Sequence, residues 1–292
     1  MEKLKYGLRG DELIHIDDVE NGLACNCLCP YCKTQLIAKK GDERVRHFAH
    51  YKVVDCNRGG ETALHLMAKS IVEQTRKVYV PLVPKTEYDF LKRGIPLEFE
   101  RAVLEEKLSD AIRGDVVLYQ GKNMLNVEIK VTHEVDLKKC IELFNLEIPT
   151  IEVDLSDIKS NFTSNMIKEL LLNGEKTKLI SSPRNKAIYA KYILGEWKKV
   201  YNAKYVKDCP CSRDIAYFVD YNGKGGRSQC HECDSYRLYD ENGEKFLCLE
   251  WLGDIDFGKI EKILYLEKEG VHIREVRLLM NDGSVIERIS YG

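Results

Sequence analysis

The chain has 292 residues, and its 45 Lys and Arg nearly balance 47 Asp and Glu, which leaves a formal net charge of −2. This length accommodates two domains or one large domain with attachments, and the balanced charge gives no global sign of a nucleic-acid-binding protein. No stretch approaches the roughly 18 apolar residues that a membrane span needs, so we expect no membrane contact.

The N-terminal sequence is charged and lacks the apolar segment of a signal peptide, so we expect a cytoplasmic protein. Thiols stay reduced in that compartment, and closely spaced cysteines there indicate zinc before disulfides. The eleven cysteines are therefore interpreted first as metal ligands.

The first cysteine cluster lies in the N-terminal segment, which contains the knuckle Cys29-Pro-Tyr-Cys32. The tight turn of such a knuckle places two thiolates on one zinc ion. The sequence leaves the other two ligands open. We favour Cys56 and His50, and the alternatives for these two positions are His47, Cys27 and Cys25.

The segment from Lys33 to Arg58 carries seven Lys and Arg against three acids. Such a patch can hold phosphates, and it can equally be a solvated face. Within it, His47-Phe48-Ala49-His50 either closes the zinc site with Phe48 packed beneath it or faces DNA together with the neighbouring arginines.

A helix is predicted from Glu61 to Lys77, because its apolar residues recur at helical spacing. On another face of this helix, Glu61, His65 and Lys69 recur every four residues, which core packing does not explain. Further along, we predict a strand over residues 97–105.

Two strands joined by the turn Gln120–Asn123 carry the most informative residues of the chain. Asp115 opens the first strand. In the second, Glu128 and Lys130 are two residues apart and therefore share one face. Two adjacent carboxylates suit a hard divalent cation, and a neighbouring ammonium suits a phosphate or an attacking water.

The remaining predictions concern the C-terminal half. A helix near residues 136–146 followed by a strand at 149–155 favours parallel pairing of that strand. Helices are predicted at 158–172, with Ser156 as N-cap, and at 187–200, and a hairpin ends the chain. A second cluster has the layout of a zinc ribbon and contains Cys209, Cys211, Cys230 and Cys233.

Taken together, these motifs resemble the competence protein CoiA-like family of PD-(D/E)xK superfamily nucleases. The resemblance rests on the knuckle, the His47–His50 motif, the Glu61–Lys69 helix and the Asp115, Glu128, Lys130 set. It implies an α/β protein with a restriction-endonuclease-like αβββαβ core and zinc-ribbon-like modules at both ends. The expected domains are residues 1–58, 59–180 and 181–292.

The resemblance also implies roles for individual residues. Asp115, Glu128 and the backbone carbonyl of Ile129 would bind a catalytic Mg²⁺ or Mn²⁺, and Lys130 would orient the attacking water. Glu61 and His65 would approach the same site. Gly114 stands where the superfamily usually has proline before the aspartate.

The function expected from this resemblance is metal-dependent hydrolysis of DNA in bacterial DNA processing, recombination or defence against foreign DNA, with RNA not excluded as substrate. The alternative is a non-catalytic nucleic-acid-binding or partner-binding module on a nuclease fold. A homodimer or a partner protein is possible in either case. Structural zinc at both cysteine clusters accompanies both hypotheses.

Overall fold

The computed structural model describes residues 3–41, 44–52, 56, 59–81, 94–132, 135–159, 161–201, 205–206, 236–239, 245–248, 252, 255–269 and 272–289. The described residues form a mixed α/β fold, mostly sheet, with four α-helices. None of these helices is long and apolar enough to cross a membrane.

The first half of the chain contains short hairpins, one long helix and then a three-stranded meander. In chain order the elements are β1 Tyr6–Arg9, β2 Glu12–His15, β3 Leu36–Lys39, β4 His47–His50, α1 Gly59–Thr75, β5 Lys77–Pro81, β6 Gly94–Glu98, β7 Arg101–Lys107, β8 Arg113–Gln120 and β9 Asn123–Lys130.

The second half alternates helices and strands before a terminal antiparallel sheet. Its elements are α2 Leu137–Asn145, β10 Thr150–Asp154, α3 Ser164–Asn173, β11 Thr177–Ser181, α4 Lys186–Leu194, β12 Glu196–Tyr201, β13 Tyr205–Val206, β14 Tyr236–Tyr239, β15 Lys245–Cys248, β16 Ile260–Glu269, β17 His272–Met280 and β18 Val285–Ile289.

By its internal contacts the chain divides into two compact units. One comprises residues 1–81, 94–136 and 150–179, and the other comprises residues 82–93, 137–149 and 180–292. The first unit contains the N-terminal hairpins, α1, α3 and nearly all of a five-stranded sheet. The division into domains 1–58, 59–180 and 181–292 stays a prediction.

The five-stranded sheet has the strand order β11-β10-β9-β8-β7. β8 and β9 are antiparallel and turn through Gly121 and Lys122, and Gly121 has a positive φ of 57°, as a tight hairpin turn requires. β9 and β10 are parallel, with Glu128 opposite Glu152. The predicted hairpin and the predicted parallel strand are therefore confirmed.

The core of the first unit lies between this sheet and α1. Leu64 and Ala68 of the helix pack in one cluster with Val116, Val127 and Ile129 of the sheet. Because side chains alternate along a strand, Glu128 and Lys130 project from the opposite face of β9.

Several predicted elements differ from the structure. The single strand predicted at 97–105 is two strands, β6 and β7, which pair with different partners. The helix predicted at 158–172 begins only at Ser164, and its N-cap is Thr163, whose hydroxyl accepts a hydrogen bond from the Met166 amide, so Ser156 as N-cap was wrong. The helix predicted at 187–200 ends at Leu194, and β12 follows it.

The C-terminal hairpin is a three-stranded antiparallel sheet, β16-β17-β18. Asn145 of α2 fixes one edge of it: its side-chain amide donates to the Ile263 carbonyl and its side-chain oxygen accepts from the Ile263 amide, both at 2.9 Å. These residues all belong to the second unit.

Gly114 immediately precedes Asp115, and the structure shows why this position carries no side chain. A Cβ at Gly114 would collide with Asn126 Oδ1 and would lie 3.0 Å from Val117 Cγ2. Asn126 is fully buried, and its Nδ2 donates to Glu128 Oε1 at 2.8 Å. The Asn126 side chain thus fills the space that a residue larger than glycine would need.

We predict that Gly114→Ala lowers the free energy of unfolding by about 1–3 kcal/mol, the usual cost of overpacking a core. Urea denaturation measures it. Gly41→Ala is the matched control, because nothing lies within 4 Å of a Cβ there. The loss of unfolding free energy caused by Gly114→Ala should be smaller in an Asn126→Ser background. An equal loss in both backgrounds would refute the proposed collision.

Candidate metal and carboxylate sites

The N-terminal cysteine cluster converges in the structure. One ligand atom from each of Cys29, Cys32, His50 and Cys56 lies within 4.8 Å of the others. The Cys29 and Cys56 sulfurs are 3.8 Å apart, and the Cys32 sulfur is 3.3 Å from His50 Nε2. Among the residues that the structure describes, this is the one cluster of three or more such groups.

These distances fit zinc. Ligands placed tetrahedrally around zinc at its usual bond lengths are about 3.8 Å apart for two sulfurs and about 3.5 Å apart for sulfur and nitrogen. A disulfide would need about 2.05 Å between sulfurs. The donor set of three cysteines and one histidine is also a common structural zinc set.

Local backbone geometry builds the site from two pieces. The knuckle closes through the Lys33 amide, which donates to the Cys29 carbonyl at 3.0 Å, and Lys33 has the left-handed φ of 59° that the turn needs. The β3–β4 hairpin supplies His50, which pairs with Leu36. Zinc would join these two pieces with Cys56.

The thiol groups of the knuckle differ in their surroundings. Burial raises the pKa of Cys29 to about 12. Burial acts in the same direction on Cys32, but hydrogen bonds with Thr34 and the neighbouring thiols outweigh it and lower the pKa of Cys32 to about 6. Metal binding requires both as thiolates.

The alternative ligands have other places in the fold. Cys25 and Cys27 are fully buried in the hydrophobic core of this segment, where their thiols contact the carbonyls of Leu36 and Cys25. His47 Nδ1 lies 2.9 Å from the Val45 carbonyl. Cys27 thus lies outside the cluster that the favoured set of Cys29, Cys32, His50 and Cys56 forms, and zinc binding by that set stays a prediction.

The second predicted zinc site falls outside the described residues. Cys209, Cys211, Cys230 and Cys233 all lie in segments that the structure does not describe. Their ligation stays a prediction.

A partly buried carboxylate, that of Asp115, lies where the regular pairing of β8 and β9 ends. The two strands pair regularly from Gln120 and Asn123 to Val116 and Val127. Beyond that point the Ile129 amide, which the same register would place opposite Gly114, donates instead to Asp115 Oδ2 at 2.9 Å. Because strand amides lie in the plane of the sheet, the Asp115 carboxylate lies between its two faces.

Two basic side chains of α1 contact the same carboxylate. His65 Nε2 is 3.0 Å from Asp115 Oδ2, and Lys69 Nζ is 3.4 Å from Asp115 Oδ1. Lys69 also pairs with Glu105. Burial would raise the pKa of Asp115, but the hydrogen bond and charge of His65, the Ile129 amide and the charge of Lys69 lower it to about 2.

The other predicted residues of this site have separate contacts. Glu128, 5% exposed, accepts from Asn126, and Lys130 Nζ lies 2.7 Å from Asp154 Oδ2. Burial would raise the pKa of Asp154, but its bonds with Lys130 and Ser156 lower it to about 2. Glu61 belongs to α1, but its side chain lies outside the described residues.

The structure thus brings Asp115, His65 and the Ile129 backbone together and adds Lys69, which the sequence did not assign to the site. It is the Ile129 amide that contacts Asp115, and the predicted role of the Ile129 carbonyl stays a prediction. A signal for Lys69 was present in the sequence, because it follows His65 by four residues on one helix face.

One comparison with known families matches the N-terminal segment. Residues 17–58 match the family model described as Competence protein CoiA, N-terminal domain. The likeness to CoiA therefore concerns this N-terminal segment of the 292-residue chain. All four residues of the Cys3His cluster lie within the matched segment. No curated protein and no solved structure matches the chain.

We predict that Cys56→Ser lowers the zinc content of the purified protein by about one equivalent relative to the unmodified chain, since three remaining ligands hold zinc poorly. Inductively coupled plasma mass spectrometry measures the zinc. Cys140→Ser is the control, because Cys140 lies outside the cluster. If Cys27→Ala loses zinc and Cys56→Ser does not, the assigned ligand set is wrong.

A second prediction concerns acid stability. The pKa of Asp115 is about 2 in the folded protein against an ordinary value of 3.8. The depressed pKa contributes about 2 kcal/mol of stability above pH 4, which is lost as the pH falls from about 4 to 2. Asp115→Asn should therefore be less stable at pH 7, and its deficit should disappear by about pH 2.

Urea unfolding of both proteins at a series of pH values checks this expectation. A deficit of the asparagine variant that stays constant between pH 7 and pH 2 would show that the Asp115 carboxylate is not held in the ionised form by its neighbours.

Proposed function

We propose that this protein is a metal-dependent nuclease that hydrolyses DNA phosphodiester bonds. The observation that carries the proposal is the Asp115 carboxylate, 17% exposed, which accepts a hydrogen bond from the backbone amide of Ile129 within the Glu128-x-Lys130 motif. A partly buried carboxylate of this kind attracts positive charge.

The order of elements supports a restriction-endonuclease-like core. When the separate β5–β6 hairpin is left aside, the elements α1, β7-β8-β9, α2 and β10 follow the αβββαβ order, and β10 pairs in parallel with β9. In that core, Asp115 and Glu128 would hold Mg²⁺ or Mn²⁺, whose role is to polarise the scissile phosphate. His65 would orient the Asp115 carboxylate through its 3.0 Å contact.

The Asp115 carboxylate is a position that attracts cationic groups. Hard cations take carboxylate oxygens, and this carboxylate already has two basic side chains at 3.0 and 3.4 Å. The fold therefore balances the partly buried negative charge of Asp115 with positive charge at this position. Lys130, 2.7 Å from Asp154, would turn toward a phosphate when substrate is present.

The match to the CoiA N-terminal domain points to a competence-related role, meaning the processing of DNA. The Cys3His module would then position the substrate. Arg44, Lys33 and Lys52 are exposed on this segment and can contact phosphates.

A second candidate function is binding of nucleic acid without cleavage. The ion pairs of Asp115 with Lys69 and of Lys130 with Asp154 favour it, because they neutralise the site internally. Tight binding of DNA in EDTA, with no cleavage under any divalent cation, would establish this second function.

We predict that the purified protein cleaves labelled DNA in Mg²⁺ or Mn²⁺, and that Asp115→Ala and Glu128→Ala each lower the rate at least about 100-fold, as expected for loss of a metal ligand. Asp157→Asn is the control, because Asp157 pairs with Lys176 on the surface. Cleavage by both alanine variants at the wild-type rate would refute the proposal.

A further inference from the structure

Lys69 is the buried basic residue whose position the proposed activity leaves unexplained. Its side chain is 5% exposed, and its ammonium lies between Asp115 of β8 and Glu105 of β7. A buried lysine is costly unless it is paired, so these two carboxylates determine where its charge can lie.

The Glu105 and Asp115 carboxylates come from positions that face each other across the β7–β8 pair. Leu104 pairs with Val116 and Glu106 pairs with Gly114, so Glu105 and Asp115 lie at the same level on neighbouring strands. Like charges at such positions repel each other. Glu105 also has a φ of 51°, in the left-handed region that L-residues rarely adopt, and so the strand is irregular at this residue.

The two oxygens of Asp115 have different neighbours. Oδ2 accepts from both His65 and the Ile129 amide, whereas Oδ1 has Lys69 as its neighbour. A carboxylate oxygen has two lone pairs, so Oδ2 is fully engaged and Oδ1 is the oxygen left for a cation. The Lys69 ammonium therefore lies next to the Asp115 oxygen to which a metal would bind.

We propose that the Lys69 ammonium is an internal counter-ion that occupies the cation position at Asp115 Oδ1 and that a divalent metal displaces it toward Glu105. This inference rests on the proposed function, because it takes Asp115 as a metal ligand. Lys69 is then a positioning residue that sets how tightly the site binds metal.

The partner toward which the Lys69 ammonium would move is already in contact with it in the structure. Lys69 contacts Glu105 while it contacts Asp115, and the Glu105 side chain is 58% exposed, against 17% for Asp115. When the metal takes Oδ1, Lys69 keeps one carboxylate and is not left as an unpaired buried charge. Glu105 can follow the movement because it is largely in solvent.

The test is a Mn²⁺ titration of the zinc-loaded full-length protein without DNA, followed by electron paramagnetic resonance of free Mn²⁺. Binding at this site is defined as the part that Asp115→Ala abolishes. We expect Lys69→Gln to tighten it by about tenfold or more, because a like charge about 4 Å away is removed. A merely structural lysine would instead loosen the site when replaced.

Lys176→Gln is the matched control: it removes the same charge from an exposed pair with Asp157 and should leave Mn²⁺ affinity unchanged. Glu105→Gln is the second variant, for the case that Lys69→Gln does not fold. It removes the alternative partner of Lys69 and should therefore weaken Mn²⁺ binding.

The outcomes separate this inference from the proposed nuclease activity. Tighter Mn²⁺ binding by Lys69→Gln supports the inference even if no variant cleaves DNA, and in that case the nuclease proposal fails alone. Unchanged or weaker binding by a folded Lys69→Gln overturns the inference, even if the wild type cleaves DNA. Unchanged binding by Glu105→Gln overturns it as well.

Discussion

The hydrogen bond from the Ile129 amide to Asp115 Oδ2 is the interaction on which the candidate site depends. It replaces a regular ladder contact at the point where β8 and β9 stop pairing, and it holds a carboxylate in the plane of the sheet. α1 then places His65 and Lys69 against that carboxylate. Without this break in pairing, Asp115 would be an ordinary strand residue.

The packing around the break is consistent with this interpretation. A residue larger than glycine does not fit at Gly114 because Asn126 occupies the space beside it. Asn126 in turn donates a hydrogen bond to Glu128. The residue before the aspartate, the buried amide and the second predicted carboxylate are thus linked by direct contact. A substitution at any one of these three residues should therefore alter the packing of the other two.

Much of this arrangement could be predicted from the sequence, because local patterns determine it. The turn through Gly121 defines the hairpin register, and the knuckle spacing identifies Cys29 and Cys32 as two members of the Cys3His cluster. By contrast, the sequence could not tell which further cysteines join the cluster, since Cys25 and Cys27 are close to the knuckle in the chain but direct their thiols to backbone carbonyls. Nor could it reveal that Lys69 reaches both Glu105 and Asp115, because that depends on strand pairing 36 and 46 residues away.

The most direct measurement is anomalous diffraction from crystals of the zinc-loaded protein soaked in Mn²⁺. We expect a manganese peak about 2.2 Å from Asp115 Oδ1, with the Lys69 ammonium moved toward Glu105. Manganese bound elsewhere, with Asp115 still held by His65, Lys69 and the Ile129 amide, would contradict it.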